Sequence, residues 1–287
     1  MLNRSCFSVF LFHLWVSCLL LTGNAQQTRQ QSAENYRARG DQQMKQGAWT
    51  RAAEDYSLAI AFDPQNALSY LHRGMARFEL GELREAIGDY GQALRLQPQL
   101  ALAPYNRGLA HQALGEVEAA LTDFDLTLRL QPDLAEAYNN RGNLRRHRGD
   151  TSGAQADYAQ ALKLNPKLPE VWNNRANLLF KSGEFSAALH DYNKALKLNP
   201  RYAAAYYNRA LARQKLGDQA GALEDLDRAL SYDRSLADAY WQRGRIRWEQ
   251  GERLAAQQDF TRCVELNPAL QALIEQQLGH SPAHAGH

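Results

Sequence analysis

Two columns of charged residues in this sequence are spaced for pairing. Arg39, Arg73, Arg107, Arg141, Arg175, Arg209 and Arg243 step by 34 residues, and so do Asp55, Asp89, Asp123, Asp157, Asp191, Asp225 and Asp259. Midway between each arginine and its aspartate stands a glycine, from Gly47 to Gly251 at the same step. If that glycine turns the chain, the two charges lie eight residues on either side of it, at one height of an antiparallel pair. The spacing predicts a repeated Arg–Asp bridge, within a hairpin or to its neighbour, as for Arg141 with Asp157 and Arg175 with Asp191. Partly buried, such a pair fixes register more than it adds stability. The matching aspartates cancel the arginine column, which argues against a phosphate-binding stripe.

A neutral column runs beside it. Asn106, Asn140, Asn174 and Asn208 each precede an arginine in four successive periods. Asparagine is a mediocre helix former, so four on one face call for a reason. Asn139 and Asn173 stand just before the column, and Asn143 and Asn177 lie one helical turn on. A side-chain amide carries both donor and acceptor, so it bonds a partner's backbone without reading its sequence. The plainer alternative is a harmless polar residue copied by duplication. Tyr105, Tyr207 and Trp241 offer apolar anchoring nearby, and Arg146, Lys181 and Arg245 offer pairing to acidic groups, though single residues of these kinds are common on solvated helices.

Other chemistry finds no footing. GxxxxGK[ST] is absent, and His72, His111, His147 and His190 are scattered without zinc spacing. His280, His284 and His287 fall among Gly and Pro, off any fixed helical face. No catalytic residue, metal or cofactor is expected, and the chain reads as a non-enzyme.

The elements that position these columns follow from the same period. Pro64, Pro98, Pro132, Pro166 and Pro200 are 34 apart, and Ala52, Ala86, Ala120, Ala154, Ala188, Ala222 and Ala256 keep the step. Within 135–168, one helical stretch runs to Gly149-Asp150, where glycine supplies a left-handed C-cap. A second carries Ala154, Tyr158, Ala161, Leu162 and Leu164 at spacings for a buried stripe, and Pro166 stops it. Gly142 and Ala154 are expected where the backbones approach, with Tyr158 filling the wider gap. Each unit is an αα-hairpin that cannot bury its faces alone, so neighbours must stack.

The order of aromatic, Gly/Ala, Gly, Ala, aromatic, Ala and Pro on a 34-residue period resembles the tetratricopeptide repeat family. Seven units are read at 33–66, 67–100, 101–134, 135–168, 169–202, 203–236 and 237–270. Thr127 and Cys263 stand in a late Ala slot, Leu226 replaces the aromatic and Arg234 replaces the Pro. That last change predicts a more continuous helix between units six and seven. Cys263 reads as a small apolar residue.

The resemblance implies an all-α, right-handed α-solenoid, a superhelix of stacked antiparallel helix pairs, with the asparagine face lining its concave groove. In that face the column is similar to the asparagine ladder of O-GlcNAc transferases. It therefore implies a protein or peptide partner, an extended segment held by Asn106, Asn140, Asn174, Asn208, Asn139, Asn143, Asn173, Asn177, Tyr207 and Trp241. The carboxylate clamp of chaperone-binding members is not matched. A structural adaptor working through the convex face or the ends is the alternative.

The flanks differ. Arg4 precedes an apolar run from Cys6 to Leu21, followed by small Gly23 and Ala25. That order predicts a signal peptide over 1–25, a polar lead-in at 26–32 and an exported protein, periplasmic or secreted. Retained, residues 6–21 would instead anchor the chain to a membrane. Cleavage would leave Cys263 alone, so no internal disulfide is expected. A net charge of +2 over 287 residues gives no reason to expect nucleic acid. Residues 271–287 read as a short capping helix through Leu273, Ile274 and Leu278, then a disordered tail.

Overall fold

The computed structural model describes residues 26–279; the expected signal segment and the three tail histidines lie outside them. Among the described residues there is no strand. The first helices of the hairpins are α1 (26–45), α3 (Ala67–Glu79), α5 (Leu102–Ala113), α7 (Ala135–His147), α9 (Pro169–Lys181), α11 (Ala203–Lys215) and α13 (Ala237–Glu249). The second are α2 (Trp49–Phe62), α4 (Leu83–Leu96), α6 (Val117–Leu130), α8 (Thr151–Leu164), α10 (Phe185–Leu198), α12 (Gln219–Tyr232) and α14 (Arg253–Leu266). A 3-10 turn, Pro268–Leu270, leads into α15 (Gln271–Gly279). The fold class is therefore all-α, built as a solenoid of helix pairs. Residues 26–32 are helical within α1, as they contain neither Pro nor Gly to hold off the helix.

The turn glycines share one conformation. All seven have φ between 71° and 84°, and among the described residues no other residue type has a positive φ. At Gly149 the amide bonds back to Arg146 O at 3.1 Å and the amide of Asp150 to Arg145 O at 2.9 Å, so the turn closes the end of α7. Asp150 then accepts from the amide of Gly153 and opens α8.

Two compact units are distinguished, one ending at Ala137 and one beginning at Tyr138. In the first, Leu71, Ala86, Tyr90, Ala93, Ala103 and Ala110 form a continuous core across α3, α4 and α5. In the second, Ala210, Ala222, Leu226, Leu230, Ala239 and Ile246 do the same across α11, α12 and α13. Alanine recurs at these contacts because a short side chain lets each helix sit against both its partner and the next hairpin.

Three local expectations are changed. The helix does not run on at Arg234: α12 stops at Tyr232 and α13 starts at Ala237. Asp233 is extended (φ −140°, ψ 102°), like Asn165 before Pro166, and its carboxylate accepts from the amide and hydroxyl of Ser235 at 2.9 and 2.6 Å. The same side-chain turn stands in proline-bearing hairpins, where Asp63, Asn165 and Asn199 accept from the amides of Gln65, Lys167 and Arg201, so it ends the helix with or without proline. Second, Gly142 makes room for a ring and not for a backbone, since a Cβ there would lie 2.9 Å from Tyr158 Cε1. Third, Ile274 of α15 enters the terminal core with Ala256, Phe260 and Cys263, but Leu273 is exposed. The side chain of Leu278 lies outside the described residues. Cys263 is fully buried, and burial pushes its thiol pKa up, away from reactive thiolate.

Candidate functional site

The Arg–Asp column is the frame on which the first-helix face is held. Arg209 Nε donates to Asp225 Oδ2 at 2.8 Å and Nη2 to Oδ1 at 2.6 Å, joining α11 to α12. The same two-pronged geometry joins Arg73 to Asp89, Arg107 to Asp123, Arg141 to Asp157, Arg175 to Asp191 and Arg243 to Asp259. Arg39 and Asp55 form it too. Every one of these aspartates is buried, at 1–4 % exposure. Fork-to-fork pairing suits a guanidinium and a carboxylate, and it aligns the two helices as well as pairing charge.

Three features of the column were not anticipated. A second arginine, one turn on, also reaches the carboxylate: Arg77 to Asp89 at 2.7 Å, Arg145 to Asp157 at 2.9 Å, Arg213 to Asp225 at 3.0 Å and Arg247 to Asp259 at 2.9 Å. The guanidinium also lies over the aromatic ring three residues earlier, as with Arg175 on Trp172 at 4.9 Å and Arg209 on Tyr206 at 5.4 Å. Finally, Nη1 reaches back to the preceding hairpin, from Arg209 to Asn193 at 2.6 Å and from Arg243 to Asp227 at 2.7 Å. Arg209 and Arg243 therefore tie both their own hairpin and the one before, as Arg73 does through the hydroxyl of Ser57 at 3.2 Å. The signal for the second arginine is in the sequence, as four arginines at one repeat position.

The asparagines divide by what they bond. Asn174 Nδ2 donates to Asn139 Oδ1 at 3.0 Å, and Asn208 Nδ2 donates to Asn173 Oδ1 at 3.2 Å. Consecutive hairpins of the second unit are thus linked through the asparagine face itself. Asn173 is buried, whereas Asn139, Asn140, Asn174 and Asn208 are partly exposed. An amide holds two donor hydrogens and an acceptor oxygen. Among the described residues, Asn174 and Asn208 each use one donor and leave the oxygen unbonded. Asn106 lies in the first unit and donates to Leu102 O of its own helix at 2.9 Å. Asn143 and Asn177 do different work: each accepts the buried hydroxyl of its hairpin's tyrosine, Tyr158 at 2.7 Å and Tyr192 at 2.6 Å.

The flanking residues also separate. Tyr207 packs into the core of α11 to α13, and burial, with Asp238 nearby, pushes its phenol up to about 12. Trp241 lies on Phe260, with centroids 5.6 Å apart, and belongs to the terminal core. Tyr105 packs on Phe124 at 6.0 Å. Lys181 is exposed at the end of α9. Arg146 Nη2 is 3.4 Å from His147 Nε2. Arg245 donates to Gln214 Oε1 at 2.6 Å and to Gln242 Oε1 at 3.2 Å. It borders a cleft of about 430 Å³ between α9, α11 and α13, which spacing alone does not reveal. Among the described residues no group of three or more His, Cys, Asp or Glu is gathered as a metal would require.

These features define a helical-repeat protein of stacked 34-residue hairpins, pinned by an arginine column and presenting a polar face on its first helices. A family model described as TPR repeat matches residues 40–81, 74–115, 142–183 and 176–217, and one described as tetratricopeptide repeat matches 203–236 and 237–270. The chain belongs to the tetratricopeptide repeat family, and its fold is that of a protein-interaction scaffold. Comparison with curated proteins gives no match. Among solved structures it is similar to a tetratricopeptide repeat protein from Parabacteroides merdae, with 25% identity over 87% of this chain and 98% of that one and a TM-score of 0.65. PilF of Pseudomonas aeruginosa shares the fold at 19% identity, over 72% of this chain and 94% of that one, with a TM-score of 0.65. So does YrrB, described as a TPR protein with an unusual peptide-binding site, at 23% identity over 65% and 96%, with a TM-score of 0.55.

Proposed function

We propose that the first-helix face of the second unit binds an extended peptide or protein segment, and that the chain acts without catalysis of its own. The observation that carries this reading is the pair of partly exposed amides, Asn174 and Asn208, each fixed by one hydrogen bond and each keeping donor and acceptor capacity. Amides held in place lose less freedom on binding than mobile ones, and they match a peptide's alternating N–H and C=O groups. Neighbouring helix layers lie roughly 8–10 Å apart, so one anchor serves every few residues of a chain advancing roughly 3.3 Å each. The peptide-binding site described for YrrB, a protein of the same fold, lends support. Capture of the partner by the native protein, repeated with Asn140→Ala and Asn174→Ala together, tests the reading. Loss of capture with an unchanged thermal melt supports it; undiminished capture moves the interface to another face.

Export belongs to the same proposal and is supported by the order of residues 1–25 alone: a basic start, an apolar run and a small-residue pair. Among the described residues no helix is long and apolar enough to cross a membrane. N-terminal sequencing of the native protein separates a chain cleaved after Ala25 from one tethered by residues 6–21.

A further inference from the structure

The cleft between α9, α11 and α13 has donors to spare and few acceptors. Arg245 donates to Gln214 Oε1 at 2.6 Å, and arginine has no acceptor, so the Gln214 atom facing it must be the oxygen. The other end of that amide, Nε2, is therefore a donor; it is shielded from solvent and has no hydrogen-bond partner. Its terminal torsion is soft, so the amide can follow an acceptor that enters the cleft. Lys215 adds a second cation to the rim. The single acid there, Glu249, forms a long, partly exposed ion pair with Arg245 Nη1 at 3.7 Å, beyond good hydrogen-bond reach. Leu211 and Ile246 supply apolar wall beside these donors.

We infer that this cleft takes a carboxylate carried on an aliphatic stem, the acidic end of a segment lying along the first-helix face. Arg245 and Lys215 supply the charge, Gln214 the unused donor, and Leu211 with Ile246 the contact for the stem. A neutral amide of the same shape would meet the donors with one oxygen and set its own donor against Arg245 and Lys215. The inference rests on the groove reading for its natural ligand, but not for its test. A glutamate side chain and a C-terminal carboxyl group share this chemistry, and separate probes distinguish them.

The full chain, labelled with ¹⁵N, is titrated with three small probes while the side-chain amide signals of Gln214 and Gln242 are followed. N-acetylglutamate N-methylamide presents a side-chain carboxylate, N-acetylleucine a terminal one, and N-acetylglutamine N-methylamide the neutral shape. One of the carboxylates is expected to shift both signals saturably, with a half-saturation about tenfold or more below that of the neutral probe. Which carboxylate does so identifies the source. Arg245→Gln is expected to abolish that preference. Equal response to the neutral probe, or no saturable shift with either carboxylate, overturns the inference in the unmodified protein, whatever the variant does. A carboxylate response with capture indifferent to Asn140→Ala and Asn174→Ala fails the groove reading alone; the reverse pattern fails the cleft alone.

Discussion

Asn208 Nδ2 lies 3.2 Å from Asn173 Oδ1, thirty-five residues earlier, so a residue of one hairpin's polar face is held by the hairpin before it. The acceptor is buried and the donor partly exposed. Stacking and presentation therefore share one bond, and a change that weakens the stack here also loosens the surface.

Asn173→Ala removes that acceptor without leaving a buried charge. It is expected to lower stability by about 1–2 kcal/mol, as a lost buried hydrogen bond does. Urea unfolding followed by circular dichroism reads the change as a lower midpoint. Asn106→Ala, which removes only an exposed bond to its own helix, is expected to leave the midpoint nearly unchanged.

The arginine column makes a sharper prediction. Asp225 keeps Arg213 at 3.0 Å if Arg209 is removed, whereas Asp191 has Leu179 where the second arginine would stand. Arg175→Leu is thus expected to strand a buried carboxylate and cost about 3–5 kcal/mol, and Arg209→Leu distinctly less. Parallel urea unfolding of the two variants checks the order; equal losses would show that the second arginine contributes nothing.

Alkaline pH should weaken the fold through its tyrosines. Tyr207 holds its proton until about pH 12, while an unfolded tyrosine releases it near about pH 10. Between those values the unfolded chain binds fewer protons than the folded one, so stability falls as pH rises. Tyr56, Tyr90 and Tyr192 shift in the same direction, chiefly through burial. A urea midpoint that drops between about pH 9 and about pH 11 is the expected result. An unchanged midpoint would mean that these hydroxyls reach water in the native state.

Much of the frame is legible in the sequence because a hairpin converts distance from its turn into height. Equal separation of Arg141 and Asp157 from Gly149 is enough to bring them level, and the structure has them 2.6 Å apart at closest. Side-chain allegiance is harder to read. Asn143 and Asn177 share a helix with the asparagine column, yet their oxygens are claimed from the second helix by Tyr158 and Tyr192. A faint signal exists: Asp41, Asn143 and Asn177 occupy one repeat position, and all three fall in hairpins whose core ring is tyrosine. Asp41 does bond Tyr56, at 2.7 Å. The Gln214–Arg245 cleft is harder to read, because it draws side chains from different repeat positions of three successive first helices, which no single column brings together. Arg234 shows the opposite error, where a missing proline suggested a longer helix, although the side-chain turn shared with Asn165 and Asn199 ends the helix at Asp233 without it.

Site-specific photocrosslinking in the native compartment tests the central claim most directly, with a photoreactive residue replacing either exposed Glu170, one turn before Asn174 on α9, or exposed Lys194 on α10. The groove account predicts one partner crosslinked from position 170 and none from position 194. Adducts from position 194 alone would contradict it and place the interface on the second helices.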